Sequence, residues 1–194
     1  MRLAIDIDGC MTDDNRFRLE QHGKYLYEHN LPEMDLPYES EIKCGYFTEE
    51  QENEFWNATF FEYIENVQPL LYVSEVMHKL KEDGHTIFIC TGRTGSTRQD
   101  EYGEKVRNIT INWLKKYDIV YDDIIFSGFP KINYIRPYNC DLFVEDNTRT
   151  ATILAKEMPV LLFDNPYNVN YKCDNVTRIF SWYDIYRHIK EGTY

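Results

Sequence analysis

The chain has 194 residues and a formal net charge of −12 at pH 7, from 33 acidic and 21 basic side chains. This acidity argues against a nucleic-acid polymer or an acidic membrane surface as partner, although a small anionic substrate needs only a local positive site. Hydrophobic residues make up 43% of the sequence, which is enough for the core of one full domain with a small insertion. The five cysteines form no CxxC pair and no apolar run approaches membrane length, so we expect reduced thiols and a cytoplasmic location.

Apolar runs and helical spacings alternate along the chain. The predicted strands are short apolar runs at residues 3–5, 86–90, 123–126, 141–144, 160–163 and 179–180. Helices are predicted at residues 16–28, 73–80 and 181–189 and around 151–154. Two more are predicted to follow the capping box at 48–51 and the loop at 94–103. This alternation favours an α/β fold with a doubly wound parallel sheet. Ligands of such folds bind outside the carboxyl ends of the strands.

The segment between the first strand and the helix at 73–80 is too long for an ordinary loop. We interpret residues 11–67 as a small helical cap inserted after the first strand, and residues 1–10 and 68–194 as the core domain. The insert is rich in aromatic side chains, namely Phe47, Phe55, Trp56, Phe60, Phe61 and Tyr63. Phe55 and Phe61 lie off the helical stripe of the others, so one of them, or Phe47, could stack on a flat base. The alternative is that the rings form the core of the cap.

Two acids, Asp6 and Asp8, follow the first strand directly and precede Gly9. Residues two apart in an extended chain point to one face, so both carboxylates can face a single crevice. Burying two negative charges together is costly unless a cation or a proton offsets them, and Mg²⁺ prefers hard oxygen ligands. A carboxylate can also act as a covalent nucleophile. The alternative is a solvated Asp-rich turn in which Gly9 supplies a positive φ.

Polar groups also follow the second predicted strand. Thr91 offers a hydroxyl and Gly92 a main-chain N–H, which together can hold phosphate oxygens at a strand end. Arg93 can add a charged donor. The alternatives are that Thr91 is a turn or capping residue and that Arg93 is an exposed surface arginine.

The third and fourth strands end in a similar way. Lys131 comes where the chain leaves the third strand, and a lysine there can neutralise a phosphate and a nucleophilic carboxylate. Glu145 and Asp146 follow the fourth strand directly, so they are less easily explained as a solvated surface. They would complete an oxygen shell for Mg²⁺ at the same edge of the sheet.

The four motifs in this order resemble those of the haloacid dehalogenase-like (HAD) phosphohydrolases: Asp6-x-Asp8-Gly9, Thr91-Gly92-Arg93, Lys131 and Glu145-Asp146. Within that superfamily the chain is similar to the 5'(3')-deoxyribonucleotidases and their bacterial nucleotidase relatives. This narrower likeness rests on the aromatic insert and on two segments, Phe126-x-Gly-x-Pro-Lys131 and Phe163-Asp-x-Pro-Tyr-Asn168. Two positions depart from it: Cys10 stands where many members carry Thr or Val, and Thr91-Gly-Arg replaces the Thr-Ser pair of deoxyribonucleotidases.

The resemblance implies a HAD-like core that hydrolyses phosphomonoesters with Mg²⁺, acting on nucleoside monophosphates through an aspartyl-phosphate. It gives Asp6 the role of nucleophile and Asp8 that of general acid and base. It implies that Mg²⁺ is held by the Asp6 carboxylate, the Asp8 main-chain carbonyl and Asp146, with Glu145 in support. Lys131 then offsets the negative charge of the transition state.

The same resemblance assigns the phosphoryl oxygens of a small phosphomonoester substrate to Thr91, Gly92, Arg93 and Lys131. Three other interpretations stay open: a HAD phosphatase of another metabolite such as a sugar phosphate, a non-catalytic phosphate-binding protein and a receiver-like signalling module. A receiver-like module would carry its acceptor aspartate after the third strand, whereas Asp6 and Asp8 follow the first. The sequence leaves the oligomeric state open, with a homodimer among the options.

Overall fold

The computed structural model describes residues 1–31 and 48–194. In those residues six strands form one parallel sheet in the order β3-β2-β1-β4-β5-β6. The strands are β1 (Arg2–Ile5), β2 (Thr86–Thr91), β3 (Asp123–Phe126), β4 (Leu142–Glu145), β5 (Val160–Phe163) and β6 (Val176–Ile179). The strand order reverses between β1 and β4, which confirms the predicted doubly wound α/β fold. The carboxyl ends of β1, β2 and β4 therefore meet at the switch point, where such sheets bind ligands.

The described residues also form seven α-helices. They are α1 (Asp14–Glu28), α2 (Glu49–Asn66), α3 (Val73–Glu82), α4 (Glu101–Lys116), α5 (Ile132–Ile135), α6 (Thr148–Leu154) and α7 (Trp182–Glu191). The predicted capping box is present, because the Thr48 hydroxyl accepts the N–H of Gln51 and the Gln51 side chain accepts the N–H of Thr48. Alternate residues of β1 enter different cores: Leu3 and Ile5 pack in one cluster and Ala4 in the other.

Several element boundaries differ from the prediction by a few residues. β2 continues to Thr91 and β4 to Glu145, while α4 begins at Glu101 after its N-cap Asp100, inside the predicted loop. The last strand is Val176–Ile179, so Phe180 lies beyond it and is exposed. That strand was misplaced because it is a polar edge strand, held by pairing with β5 rather than by a continuous apolar run. The single-turn α5 was not predicted, since one turn is too short to show a helical period.

Two helices of the predicted cap, α1 and α2, lie between β1 and α3, as expected for an insertion after the first strand. The segments that enter and leave the insert are hydrogen-bonded to each other. The N–H of Asp13 donates to the Gln68 carbonyl at 2.8 Å, and the N–H of Leu70 donates to the Met11 carbonyl at 2.7 Å. Phe47, predicted as one of the stacking rings, lies outside the described residues. Among the residues described, no helix is both long and apolar enough to cross a membrane.

Candidate active site

β1 ends in a tight turn that carries both N-terminal acids. The N–H of Asp6 donates to the carbonyl of Val144 on β4 at 3.0 Å, which keeps Asp6 in line with the sheet. Gly9 has a φ of +73°, and a Cβ atom there would collide with the carboxylate of Asp146 and the hydroxyl of Tyr167. The turn therefore requires glycine for its left-handed backbone and for the close approach of Asp146.

Lys131, just before α5, lies between two buried carboxylates. Its Nζ is 2.5 Å from Oδ2 of Asp6 and donates to Oε2 of Glu145 at 2.9 Å. Burial raises the pKa of Asp6 to about 7, although the Lys131 ammonium opposes the rise. Burial alone would lower the pKa of Lys131, but the two carboxylates hold it well above its ordinary value. The amine therefore remains a cation in contact with Asp6.

Asp6, Glu145 and Asp146 form an acidic cluster in which one carboxylate oxygen of each lies within 4.8 Å of the others. Both carboxylate oxygens of Glu145 already accept hydrogen bonds from the protein. Oε2 accepts from Lys131, and Oε1 accepts from the N–H groups of Asp146 and Asn147. Burial raises the pKa of Asp146 to about 7, and the nearby Asp6 adds to the rise. One ammonium does not balance three buried carboxylates. The oxygen set and its excess negative charge fit a hard divalent cation such as Mg²⁺.

The loop after β5 supports this cluster from behind. The side-chain amide of Asn168 donates to the main-chain carbonyl of Asp146 at 2.9 Å, and that of Asn165 donates to the carbonyl of Gly9 at 2.9 Å. The hydroxyl of Tyr167 donates to Oδ2 of Asp146. The sequence alone gives no role to the segment Phe163-Asp-x-Pro-Tyr-Asn168. The structure shows that it fixes the positions of Asp146 and of the turn at Gly9.

Asp8 is held by one residue of the core and one of the insert. The Arg93 guanidinium contacts both carboxylate oxygens, with Nη2 donating to Oδ1 at 2.9 Å and Nε lying 3.1 Å from Oδ2. The hydroxyl of Tyr63, on α2, donates to Oδ1 of Asp8 at 2.8 Å. The side chain of Asp8 is 30% exposed, against 1% for Arg93. Core and insert thus meet on a single carboxylate at the edge of the cleft.

Arg93 is not the exposed surface arginine of the alternative interpretation. It is buried rather than exposed on the surface, and its donors point to Asp8 and, through Nη1, to the Thr110 hydroxyl at 3.2 Å. Donation from Arg93 to phosphoryl oxygens, which the family resemblance implies, stays a prediction. A guanidinium in a poorly hydrated site binds the nearest carboxylate in a bidentate manner, and that carboxylate is Asp8.

Thr91 and Gly92 end β2 beside the cluster. Thr91 is buried, and its hydroxyl accepts the N–H of Arg93 at 3.3 Å. Gly92 lines the cleft, and a Cβ atom there would meet Lys131 Cε at 3.7 Å, an ordinary contact distance. The structure therefore brings Gly92 to the cleft surface, whereas Thr91 lies beneath it and orients the loop.

The cleft above these residues has a volume of about 340 Å³. Its lining comprises Asp6, Asp8, Asp14, Gly92, Gly128, Phe129, Lys131, Glu145, Asp146, Asn147 and Thr150. All six predicted site residues other than Thr91 and Arg93 thus lie on its wall. Sequence reasoning missed Asp14, whose pKa burial raises to about 7 with Asp8 adding to the rise. It also missed Phe129, although Phe129 lies within a segment that had been noted.

The aromatic residues of the insert mostly pack among themselves or against the core. Phe55 is buried in a small cluster with Leu26, and Phe61 packs edge-on against Tyr102 with the Lys105 ammonium over its ring at 3.9 Å. Among the described rings of the insert, none belongs to the lining of the cleft. For Phe55 the structure agrees with the alternative interpretation, in which it forms the core of the cap.

The Asp8–Arg93 pair should contribute to folding stability. In Arg93→Met the Asp8 carboxylate loses its charged partner, and we expect the free energy of unfolding to fall by about 1–3 kcal/mol. Because Asp8 is partly hydrated, the loss should stay below that of a fully buried ion pair. Arg136→Met is the matched control, since the Arg136–Glu157 pair is exposed and its attraction is screened by water, so its loss should change stability little. Urea denaturation of both variants measures the difference, and equal losses would contradict the assignment.

Two curated relatives match nearly the whole chain. One, from Bacillus subtilis and named "Putative nucleotidase", is 27% identical over 196 residues, which cover 94% of this chain and 90% of the relative. The other, a "Nucleotidase" of Clostridium acetobutylicum, is 27% identical over 188 residues, covering 96% and 92%. No protein-family model matches the chain.

Solved structures extend this likeness to the fold. A haloacid dehalogenase-like family protein from Streptococcus pneumoniae superposes with a TM-score of 0.64 at 13% identity, covering 97% of each chain. A "putative HAD-hydrolase" of Bacillus subtilis bound to magnesium superposes with a TM-score of 0.56 at 15% identity, covering 96% of each chain. At these identities the solved structures show a shared fold, the doubly wound sheet described above. The two curated relatives, each 27% identical to this chain, carry the name nucleotidase.

Proposed function

We propose that this protein is a Mg²⁺-dependent phosphomonoester hydrolase, and specifically a 5'-nucleotidase that acts on (deoxy)nucleoside monophosphates. The observation that carries the proposal is the contact of Lys131 with Asp6 inside an acidic cluster at the carboxyl end of β1. A buried carboxylate next to an ammonium and a cation site can attack phosphorus while its surroundings balance the charge of the phosphoryl group.

Asp6 is the proposed nucleophile. Its carboxylate oxygen forms a bond to phosphorus as the bond from phosphorus to the substrate's ester oxygen breaks, which gives an aspartyl-phosphate. Asp8, on the edge of the same cleft, enters this step in its protonated form and gives that proton to the leaving alkoxide, which leaves Asp8 as a carboxylate. In the second step Asp8 accepts a proton from water as the water oxygen bonds to phosphorus. That step releases inorganic phosphate and restores the Asp6 carboxylate.

The other groups position these two acids or balance charge. Lys131 faces the nucleophile, and Glu145 holds Lys131 in place. The N–H of Gly92 is available to phosphoryl oxygens at the cleft surface. Asp6 and Asp146 are the carboxylates that would hold Mg²⁺, with the Asp8 main-chain carbonyl as a further oxygen, and the bound ion would supply positive charge opposite the transferring phosphoryl group.

We also propose that residues 11–67 act as a cap over the cleft. The support is the hydrogen bond from Tyr63, at the end of α2, to Asp8, which joins the insert to the proposed acid and base. A cap in contact with the reacting groups excludes water while the leaving group departs.

Removal of the metal should abolish turnover. Excess chelator should stop hydrolysis of a nucleoside monophosphate, and added Mg²⁺ should restore it, because the carboxylates otherwise repel the phosphoryl group. Asp146→Asn should raise the Mg²⁺ concentration for half-maximal rate by at least about tenfold, since loss of a group that merely orients a ligand already costs that much affinity. Asp174→Asn, at an exposed acid, is the control. Calorimetric titration with Mg²⁺ checks the affinity without turnover, and full activity in excess chelator would refute the metal assignment.

The substrate class is tested by a panel of phosphomonoesters with Mg²⁺. The names of the curated relatives support nucleotides, and we expect a deoxynucleoside monophosphate to have a higher kcat/KM than sugar phosphates. If sugar phosphates were hydrolysed faster than every nucleotide, the enzyme would be a phosphatase of another small metabolite. The roles of Asp6, Asp8 and Lys131 would be unchanged in that case.

A further inference from the structure

The cleft has one exposed aromatic ring among the side chains described in its lining. This ring belongs to Phe129, which is 51% exposed. The rest of that lining consists of acids, one lysine, two glycines, an asparagine and a threonine. A half-exposed phenyl ring in this polar cleft is the apolar surface that a flat part of a bound ligand would cover.

Phe129 is also close to the reacting groups along the chain. It lies two residues before Lys131, whose Nζ contacts Asp6, so the two Cα atoms are separated by at most about 7.6 Å. In a nucleoside monophosphate the base is joined to the phosphate through a single pentose. A phosphate at Lys131 thus leaves the base within reach of the Phe129 ring.

A cation lies against the same ring. The Arg149 guanidinium carbon is 4.0 Å from the centroid of the Phe129 ring, a distance typical of a cation–π contact. Arg149 belongs to α6, and its neighbours Asn147 and Thr150 line the cleft. Its positive charge partly offsets the acidic lining at this side of the cleft. The guanidinium also fixes the orientation of a ring that would otherwise turn freely in water.

We infer that Phe129, held by Arg149, forms a platform on which the substrate's nucleobase stacks. This inference deepens the proposed nucleotidase function and rests on it. It places base recognition in the core, on the loop that carries Lys131, and not on the aromatic rings of the insert. Because aromatic stacking tolerates any flat base, the platform selects nucleotides over sugar phosphates without choosing among bases.

The test compares two substrates that differ at C1 of the pentose, where 2'-deoxyuridine 5'-monophosphate carries the base and 2-deoxyribose 5-phosphate a hydroxyl. The ratio of their kcat/KM values measures what the base contributes. We expect Phe129→Leu to lower this ratio about tenfold, the loss expected when one stacking contact is removed. Phe129→Tyr should keep the ratio near that of the parent enzyme, because the aromatic face remains. Arg149→Gln should lower the ratio to a smaller extent, since the ring then loses its orienting cation.

Phe180→Leu is the matched control, because Phe180 is 67% exposed and lies outside the cleft lining. Calorimetric binding of the nucleotide to Asp6→Asn, with and without Phe129→Leu, gives a readout without turnover and should show the same loss. If the parent enzyme prefers the nucleotide but Phe129→Leu leaves the ratio unchanged, the platform is wrong and the nucleotidase proposal stands. If the parent enzyme prefers 2-deoxyribose 5-phosphate, the nucleotidase proposal fails and the platform falls with it.

Discussion

Asp6→Asn should lower turnover by at least about 10³-fold, the ordinary loss for a missing covalent nucleophile. An amide oxygen is a far weaker nucleophile than a carboxylate, and the aspartyl-phosphate cannot form. The variant should still fold, because asparagine is nearly isosteric and Asp6 is a buried carboxylate whose charge is costly there. Removing that charge relieves part of the repulsion from Glu145, although Lys131 loses one of its two partners.

The measurement is single-turnover hydrolysis of a nucleoside monophosphate, together with trapping of the labelled phosphoenzyme by acid quench. The parent enzyme should yield a labelled protein, and Asp6→Asn should yield none. Asp123→Asn is the control, since Asp123 is exposed at the opposite end of the sheet, where β3 begins. Phosphatase activity surviving in a pure Asp6→Asn preparation would exclude the covalent mechanism.

The parts of this site that could be predicted from the sequence are those fixed by local chain direction. Asp6 and Glu145 each follow a run of apolar residues, and the ends of parallel strands share one edge of the sheet. Their convergence therefore needed only the correct identification of β1 and β4. The motif at Lys131 was found in the same way, because the chain leaves β3 at that edge.

Arg93 shows why other parts could not be predicted. Its position at the end of β2 was clear, but the direction of its side chain depends on partners far along the chain. Asp8 is 85 residues away in sequence, and Tyr63 reaches the same carboxylate from the insert. No local sequence pattern predicts which of several nearby anions a buried guanidinium will bind. A three-dimensional arrangement of all three side chains is needed for that assignment.

Phe129 and Phe55 illustrate a second limit, which concerns aromatic residues. Six rings in the insert suggested a surplus for base stacking, yet Phe55 is only 1% exposed and packs with Leu26. Phe129 stood in a segment with little periodicity, and only its exposure in the folded protein distinguishes it. Composition gives the number of rings available, whereas burial decides which of them a ligand can reach.

Lys131→Met should lower kcat by about 10²- to 10³-fold, as expected when a group that stabilises transition-state charge is removed. The phosphoryl group brings negative charge to a site that already holds three carboxylates, and Lys131 is the ammonium in contact with two of them. Lys131→Arg should restore only part of the rate, because a planar guanidinium does not fit the place of a compact ammonium. Lys156→Met, at an exposed lysine, is the control and should behave as the parent enzyme does.

The loss in Lys131→Met could also arise from unfolding, because two buried carboxylates are left without their cation, at a cost of about 3–5 kcal/mol. The double variant Lys131→Met, Glu145→Gln separates the two effects. It removes one of the two carboxylates that Lys131 neutralises, so urea denaturation should show that much of the lost stability returns. The rate should remain low, since no ammonium then faces Asp6 and the phosphoryl group. A double variant that recovers both stability and turnover would show that Lys131 serves only to neutralise Glu145, and the proposed electrostatic role in the reaction would be wrong.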